Sequence, residues 1–432
     1  MSWEFETDPA FAAELEWVDE FVRTEVEPVD HVIEHAWDVT DPLRNKLIRP
    51  LQQIVRERKL WACHLGPELG GPGYGQLKLA LLNEILGRTH SGPVVFGCQA
   101  PDSGNAEILA HYGTDDLKKR YLEPLISGEI MSAYSMTEPR GGSDPTGFVT
   151  RAVLDGEEWV IDGEKWFSSH ARFASFLVLL AVTEPEAPPH ERASMFIVPM
   201  DTPGIEIIRN VGVWGHPEAE GTHAYIRYNS VRIPADHLLG ERGDGFAVAQ
   251  TRLGGGRIHH AMRTVGVVKA CLEMMLERAV SRQTKGQRLA DLQLVQEMIA
   301  DSWIQLEQFR LLVLQTAWKI DRYNDYKKVL IDISAVKAAM PKVLSDVASR
   351  AIQIHGSLGI STEMPFGKYL LEAHHMALAD GATELHKIQV AKQLVRGLRP
   401  NPDLFPSGHL PAKAAAARKK FAEAGALPES PS

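Results

Sequence analysis

The sequence predicts an α+β protein, mostly α-helical, in which a helical N-terminal domain, a central β domain and a C-terminal helical bundle follow one another. Apolar residues recur at helical spacing near both ends, whereas the middle holds short apolar runs separated by Asp-Gly pairs. Of the 432 residues, 44% are apolar, which suffices for a large buried core. These changes in pattern place the domains at 1–130, 131–246 and 247–400, with a tail at 401–432.

The N-terminal domain is predicted to be helical between residues 9 and 127. Its apolar residues recur at helical spacing, which gathers them on one face of each helix. The two clearest stripes are Phe11, Leu15, Val18 and Phe21, and then Leu77, Leu81, Leu82 and Ile85.

The central domain is predicted to be a compact β domain, barrel-like or sandwich-like. The pairs Asp155-Gly156 and Asp162-Gly163 are typical of tight hairpin turns, and each follows a short apolar run. Further strand-like runs lie at 173–182, 194–199, 205–208 and 223–233.

The C-terminal domain begins near residue 247, where apolar residues again recur at helical spacing. Its clearest stripe, typical of the seam of an antiparallel bundle, is Leu292, Val295, Ile299, Leu306, Phe309 and Val313. Further helices are predicted at 329–356 and 383–397. The tail 401–432 is rich in Pro, Ala and Lys with little core pattern, and we expect it to be loosely ordered.

Composition excludes several classes of protein. The formal net charge is −10 without a basic stripe, which argues against a nucleic-acid partner. The longest mostly apolar run, 173–182, is too short to span a membrane. The acidic N-terminus lacks a signal-peptide pattern, and three cysteines without metal spacing are typical of a reducing compartment. We therefore expect a soluble, cytoplasmic protein.

A metal site is not predicted. The pairs His259-His260 and His374-His375 are the only clusters that suggest one, and adjacent residues on a helix point about 100° apart. No motif of the H-E-x-x-H type accompanies them.

Four segments, in order, carry recognisable motifs. They are YSMTEPRGGSD at 134–144, DGEKWFSS at 162–169, VRIPADHLLGE at 231–241, and QIHG at 353–356 with EMP at 363–365 and DG at 380–381. Together they resemble the acyl-CoA dehydrogenase family. The run RIHHAMRTVG at 257–266 resembles the branch of that family which in animals is fused to a phosphotransferase-like domain.

The resemblance implies FAD as the cofactor and a C-terminal four-helix bundle. Phe167 and Ser169 stand where the family places an aromatic ring against the flavin and a hydroxyl near its N5. Arg282, Gln293 and Gln353 match residues that reach the FAD of a neighbouring subunit, which implies a homodimer or homotetramer. The full set of expected FAD contacts is Tyr134, Met136, Thr137, Gly142, Ser143, Phe167, Ser169, Arg282, Gln293, Gln353, Gly356, Ala382 and Glu384.

The same resemblance implies the substrate, an acyl-CoA, with Ser143, Arg257 and Gly381 in contact with it. Asp380 occupies the position of the family's glutamate base, and an ordinary Asp-Gly turn is the competing interpretation. Some relatives carry the base one residue before the position of Arg257, but here that residue is Gly256. Burial beside the acyl chain is expected to raise the pKa of Asp380.

The expected function is FAD-dependent formation of a trans-2-enoyl-CoA, with Asp380 as the α-proton base and flavin N5 as the hydride acceptor. An electron-transfer flavoprotein is the expected electron acceptor. Two alternatives stay open at this point. One is an acyl-CoA or nitroalkane oxidase of the same fold that uses O₂. The other is a non-catalytic member that binds acyl-CoA or serves as a scaffold.

Overall fold

The computed structural model describes residues 6–213 and 221–426. Its elements run helices, strands, helices, as the sequence predicts. The chain divides into two compact units, of which the first ends at Gln389 and the second begins at Val390. None of the described helices is both long enough and apolar enough to cross a membrane.

The first unit begins with seven helices. Asp8 and Asp41 start the first two, because each side chain accepts a hydrogen bond from the backbone N–H of the first turn and a proline follows directly. The helices are α1 (Pro9–Phe21), α2 (Pro42–Glu57), α3 (Gly75–Leu86), α4 (Gly92–Val95), α5 (Asp102–Tyr112), α6 (Asp115–Leu117) and α7 (Glu123–Ile126).

The central domain is one eight-stranded sheet. Its strands are β1 (Ser132–Ser135), β2 (Arg151–Asp155), β3 (Glu158–Ser169), β4 (Phe176–Val182), β5 (Ala193–Pro199), β6 (Ile205–Val211), β7 (His223–Pro234) and β8 (Leu238–Leu239). The order across the sheet is β6-β7-β3-β2-β4-β5-β8, and β1 lies parallel to β4.

The long apolar run predicted at 173–182 contains β4, which is buried on both faces. Phe176 and Val178 pack with residues of α5, whereas Leu177 and Leu179 pack against β3 and β7 on the other face. The sheet is therefore covered by the N-terminal helices on one side, and β1 lies next to α5.

The C-terminal bundle begins with α8 (Gly245–Ser281), a helix of 37 residues. A two-stranded hairpin of β9 (Gln283–Thr284) and β10 (Gln287–Arg288) follows, and then α9 (Gln293–Tyr323), α10 (Leu330–His355), α11 (Phe366–Leu378) and α12 (Thr383–Val395). Helix α8 packs closely on α3 at Gly87 and Gly266. The absence of a side chain at these two residues permits the close approach, since a Cβ at either one would collide with the backbone of the facing helix. This contact joins the N-terminal helices to the bundle.

The second unit contains α13 (Leu410–Glu423), no residue of which is buried. The little core pattern of the tail did not indicate this helix. Its alanines and lysines are strong helix formers, which accounts for a helix without a buried face.

Candidate active site

Asp380 lies two residues after the end of α11, with its backbone held in an unusual conformation. Its φ is +54°, and that of Gly381 is +104°. The carbonyl oxygen of Asp380 accepts hydrogen bonds from Arg257 Nε at 3.0 Å and from His386 Nε2 at 3.3 Å. A left-handed residue persists where its surroundings hold it, and these two bonds do so. Among the described residues, no protein group accepts from the backbone N–H of Asp380.

The carboxylate of Asp380 faces two side chains of α8. His260 Nε2 lies 3.5 Å from one carboxylate oxygen, and an Arg252 terminal nitrogen lies 3.9 Å from the other. The Asp380 side chain is 15% exposed, so these contacts form in a largely water-excluded space. Asp380 is therefore a buried carboxylate whose backbone and side chain are both fixed by bundle residues.

The expectation that burial raises the pKa of Asp380 is wrong in its net result. Burial does raise it, but His260, Arg252, Arg257 and Lys337 lower it by more, and the pKa lies below its usual value. The carboxyl group is thus a carboxylate at neutral pH.

Two predicted flavin contacts lie beside this carboxylate. The ring of Tyr134 lies under the guanidinium of Arg252, 3.9 Å from its central carbon, and the Tyr134 hydroxyl donates to the sulfur of Met136. Burial raises the pKa of Tyr134 to about 12, so the phenol stays protonated. Tyr134, Met136, Arg257 and Gly381 are thereby brought together around Asp380.

Phe167 and Ser169 lie on the last part of β3, where an irregularity in the pairing with β7 changes the direction of the side chains. Phe167 has a φ of +57° at this bulge. Its ring stacks on His223 at 4.7 Å, and Ser169 Oγ lies 2.8 Å from His223 Nδ1. The aromatic face and the hydroxyl that the motif predicts are thus adjacent and share one neighbour.

His223 also connects this pair to the bundle. Its ring meets the edge of His375 at 5.4 Å, and His375 belongs to α11, the helix that leads to Asp380. Burial lowers the pKa of His223 to about 4, so the ring is neutral at neutral pH. The group around Ser169 is therefore connected, through the contact between His223 and His375, to the helix that leads to Asp380.

The turn that carries Thr137, Gly142 and Ser143 lies between β1 and β2. Gly142 and Ser143 are exposed, and no described protein group accepts from their backbone N–H groups. Two free N–H groups and two hydroxyls on one turn are suited to phosphate oxygens and flavin ring atoms. The Glu138 carboxylate anchors this turn, because it accepts hydrogen bonds from the backbone N–H groups of Val149 and Thr150, both at 2.8 Å.

Four other predicted FAD contacts lie on the exposed surface of the bundle. Arg282, Gln293, Gln353 and Gly356 are all exposed, and no hydrogen bond or ion pair within the described chain joins them to the residues around Asp380 or Ser169. Within one chain they are not brought to the site. Their role toward a neighbouring subunit stays a prediction.

Ala382 and Glu384 lie at the start of α12. The carbonyl of Ala382 accepts from His386 N at 3.3 Å, which begins the helix that carries His386. Glu384 lines a cavity between α9, α10, α11 and α12 that includes none of Phe167, Ser169 and Asp380. Ala382 thus supports the Asp380 turn, whereas Glu384 lies apart from it.

Several residues that shape this site are outside the predicted set. The sequence points to His260 only as part of a histidine pair considered for a metal. The others are Arg252, Lys337, His386, His223, and the buried pair of Lys165 and Glu138. The motifs contained a signal for the last pair, since both residues belong to segments that carried the resemblance. For the others, the signal was a charged or imidazole side chain on the buried face of a helix or strand.

Three family descriptions match successive parts of the chain. They are "Acyl-CoA dehydrogenase, N-terminal domain" over residues 12–129, "middle domain" over 133–231 and "C-terminal domain" over 243–395. The chain belongs to the acyl-CoA dehydrogenase family, a family of FAD-binding oxidoreductases.

Individual relatives agree with this assignment. The chain is 38% identical to the probable acyl-CoA dehydrogenase FadE2 of Mycobacterium tuberculosis, over 90% of this chain and 92% of that protein. It is also 38% identical to acyl-CoA dehydrogenase family member 11 of Rattus norvegicus, over 80% of this chain but only 44% of that longer protein. A structure of a putative acyl-CoA dehydrogenase from Mycobacterium abscessus superposes with a TM-score of 0.84 at 37% identity, covering 90% of this chain and 99% of that one.

Proposed function

We propose that the protein oxidises an acyl-CoA thioester to its trans-2-enoyl-CoA, with Asp380 as the base that removes the α-proton. One observation carries this proposal. Asp380 presents an ionised carboxylate in a buried site, while its carbonyl is clamped by Arg257 and His386 and its N–H is left free. A base and an N–H donor on the same residue suit a thioester, whose carbonyl must be polarised as its α-proton leaves.

The residues around Ser169 are suited to a flavin. A half-buried aromatic ring, a hydroxyl held by a neutral imidazole and a turn with free N–H groups supply a stacking face, a ring donor and phosphate donors. When bound, FAD supplies the hydride acceptor. Phe167 and Ser169 would orient it, and Thr137, Gly142 and Ser143 would bond its ring and phosphate oxygens.

In the proposed reaction, Asp380 takes the proton from Cα, and the two electrons of the broken Cα–H bond form the new C=C bond. Bound FAD would supply the acceptor for the hydride that leaves Cβ. The Asp380 N–H donates to the thioester oxygen. Arg257 and Gly381 would contact the CoA ester near that group. Since Arg257 Nε is already bonded to the Asp380 carbonyl, only its terminal nitrogens are available for such a contact.

The remaining assignments also belong to this proposal. Electrons would pass to an electron-transfer flavoprotein, and the protein would act in the cytoplasm. Arg282, Gln293, Gln353 and Gly356 would complete the FAD site of a second copy in a homodimer or homotetramer. All four residues are exposed, and the side chains of Arg282, Gln293 and Gln353 make no hydrogen bond or ion pair within the described chain, which supports this arrangement.

The test is anaerobic bleaching of the flavin by a panel of acyl-CoA thioesters. We expect at least one thioester to bleach the bound flavin in a single turnover. The amount of enoyl-CoA formed should equal the amount of flavin reduced. A parallel assay with air and no added acceptor separates the oxidase alternative, which would consume O₂ at the bleaching rate. A protein that holds flavin but is bleached by none of the thioesters would contradict the dehydrogenase proposal.

A further inference from the structure

A chain of buried hydrogen bonds begins at Arg252, whose guanidinium also forms an ion pair with Asp380. Arg252 Nε donates to Asn105 Oδ1 at 2.9 Å, Asn105 Nδ2 donates to Ser132 Oγ at 2.9 Å, and Ser132 Oγ donates to Asp102 Oδ1 at 2.5 Å. All four residues are buried, with at most 8% of their surface exposed. Each residue in this chain donates to the next one toward Asp102. The Asn105 amide therefore has its oxygen toward Arg252 and its nitrogen toward Ser132, and this fixes the orientation of both the amide and the guanidinium.

The guanidinium of Arg252 is held on a second side as well. It lies over the Tyr134 ring at 3.9 Å, and Gly104 leaves room for its stem, since a Cβ there would lie 2.9 Å from Arg252 Cγ. A planar guanidinium with one nitrogen bonded and one face stacked keeps a single orientation. Its terminal nitrogen therefore stays 3.9 Å from Asp380 Oδ1.

Among the described residues, Arg252 is the permanently charged side chain that forms an ion pair with a carboxylate oxygen of Asp380. His260 is closer, but burial lowers its pKa to about 4, so it is uncharged at neutral pH. Lys337 points its ammonium at the Met376 carbonyl, and Arg257 bonds the backbone of Asp380.

We propose that Arg252 is a positioning residue for the base: held by Asn105 and Tyr134, it keeps the Asp380 side chain ionised and oriented toward the substrate. The proposal rests on the proposed function. It adds a role for an α8 residue and for the buried chain that connects it to α5 and β1. Arg252 contacts the base itself, which is why its loss should change how the base titrates.

The experiment follows the rate of anaerobic flavin reduction from pH 3 to 9 in the wild type, Arg252→Gln and Arg252→Lys, because the pKa of Asp380 lies below its usual value. The acid limb of the Arg252→Gln profile should move upward by about one to three pH units, the effect of one opposite charge at this distance. Arg252→Lys keeps the charge but loses the fork, so its limb should stay near that of the wild type while its limiting rate falls about tenfold or more.

Other groups also face Asp380, and they are the same in every variant. The cations are Arg257, Arg263 and Lys337, and the remaining groups are His260, His375, His386 and Tyr134. Arg310→Gln is the matched control, since Arg310 pairs with the buried Glu84 at 2.9 Å and has no contact with Asp380 among the described residues. Its pH profile should match that of the wild type.

An Arg252→Gln protein that keeps its FAD, is bleached and shows an unshifted acid limb would overturn the inference. Should Arg252→Gln fail to fold or to hold FAD, Arg252→Lys decides, because an unchanged limiting rate there is incompatible with a positioning role. Asp380→Asn separates the two levels of the argument. If that variant keeps the wild-type rate, the assignment of the base fails, whatever the Arg252 variants do.

Discussion

Ser169 and His223 are cross-strand partners at the ends of β3 and β7, and their side chains share a hydrogen bond of 2.8 Å between Oγ and Nδ1. The same imidazole stacks on Phe167 with an angle of only 12° between the rings. One side chain thereby fixes both groups that we propose to face the flavin.

His223→Ala should loosen both groups without removing either. We expect FAD affinity to fall about two- to tenfold, which corresponds to one lost hydrogen bond of about 0.5–1.5 kcal/mol. The flavin absorption bands should also shift, because the hydroxyl near N5 is no longer oriented. Flavin titration of the apoprotein measures both effects. His190→Ala, which removes an exposed histidine that contacts Phe246, should leave affinity and spectrum unchanged.

Asp380→Asn should retain flavin and acyl-CoA binding but reduce flavin about 10²- to 10⁴-fold more slowly, since the amide fills the space and cannot accept a proton. Asp380→Glu should keep part of the activity, because the family's usual base is a glutamate. Stopped-flow bleaching with the best thioester measures both rates. Near wild-type bleaching by the Asn variant would move the base to another acid.

Arg282→Ala tests the proposed contact between subunits. Loss of a charge-assisted contact to phosphate should weaken FAD binding about ten- to hundredfold and shift assembly toward smaller species through linkage. Released-flavin fluorescence and analytical ultracentrifugation measure the two effects. Arg288→Ala on the nearby strand β10 is the matched control, since Arg288 already pairs with Asp291 at 2.8 Å. A stable Arg282→Ala monomer with full flavin content is the contrary result.

Glu107 on α5 gives a prediction about pH and stability. No described residue offers its carboxylate a hydrogen bond or ion pair, and a Cβ at Gly255 would lie 3.3 Å from it. Burial, partly offset by Arg252, raises its pKa to about 7 from the usual 4.5. The folded state therefore holds this proton more tightly than the unfolded state, and the Glu107 contribution to stability falls as pH rises between these two values.

Glu107→Gln removes that titration. Relative to the wild type, the variant should gain up to about 3 kcal/mol in free energy of unfolding between pH 4.5 and pH 8. Urea unfolding at several pH values measures the difference. The exposed Glu297→Gln serves as the control and should follow the wild type throughout. Parallel stability curves for wild type and Glu107→Gln would show that the carboxyl is not held protonated.

Much of the fold could be predicted because its signals are local. The helical stripe through Phe11 and Val18 marks α1, and the continuous apolar run around Leu177 marks a strand buried on both faces. Motif order also predicted which residues would meet, and the structure gathers Tyr134 and Arg257 around Asp380.

The electrostatics of the site could not be predicted in the same way. The pKa of Asp380 depends on Arg252, His260 and Lys337, which reach it from α8 and α10, far away in the sequence. Periodicity shows that such residues face inward but not which carboxylate they meet. The contact that we propose for Arg282 would depend on a second copy, so it would leave no pairing signal within one chain.

Gly256 bears on whether the base that we propose at Asp380 could be moved to helix α8. Its Cβ position lies 3.2 Å from Oδ2 of Asp380, at the place where some relatives carry their base on the helix. An acid added there would put two carboxylates within about 4 Å, and one would be forced to hold a proton. Moving the base from the turn to the helix therefore requires an intermediate with no acid or with two competing acids. Each position excludes the other, so the absence of a side chain at Gly256 preserves the reactivity that we propose for the Asp380 turn.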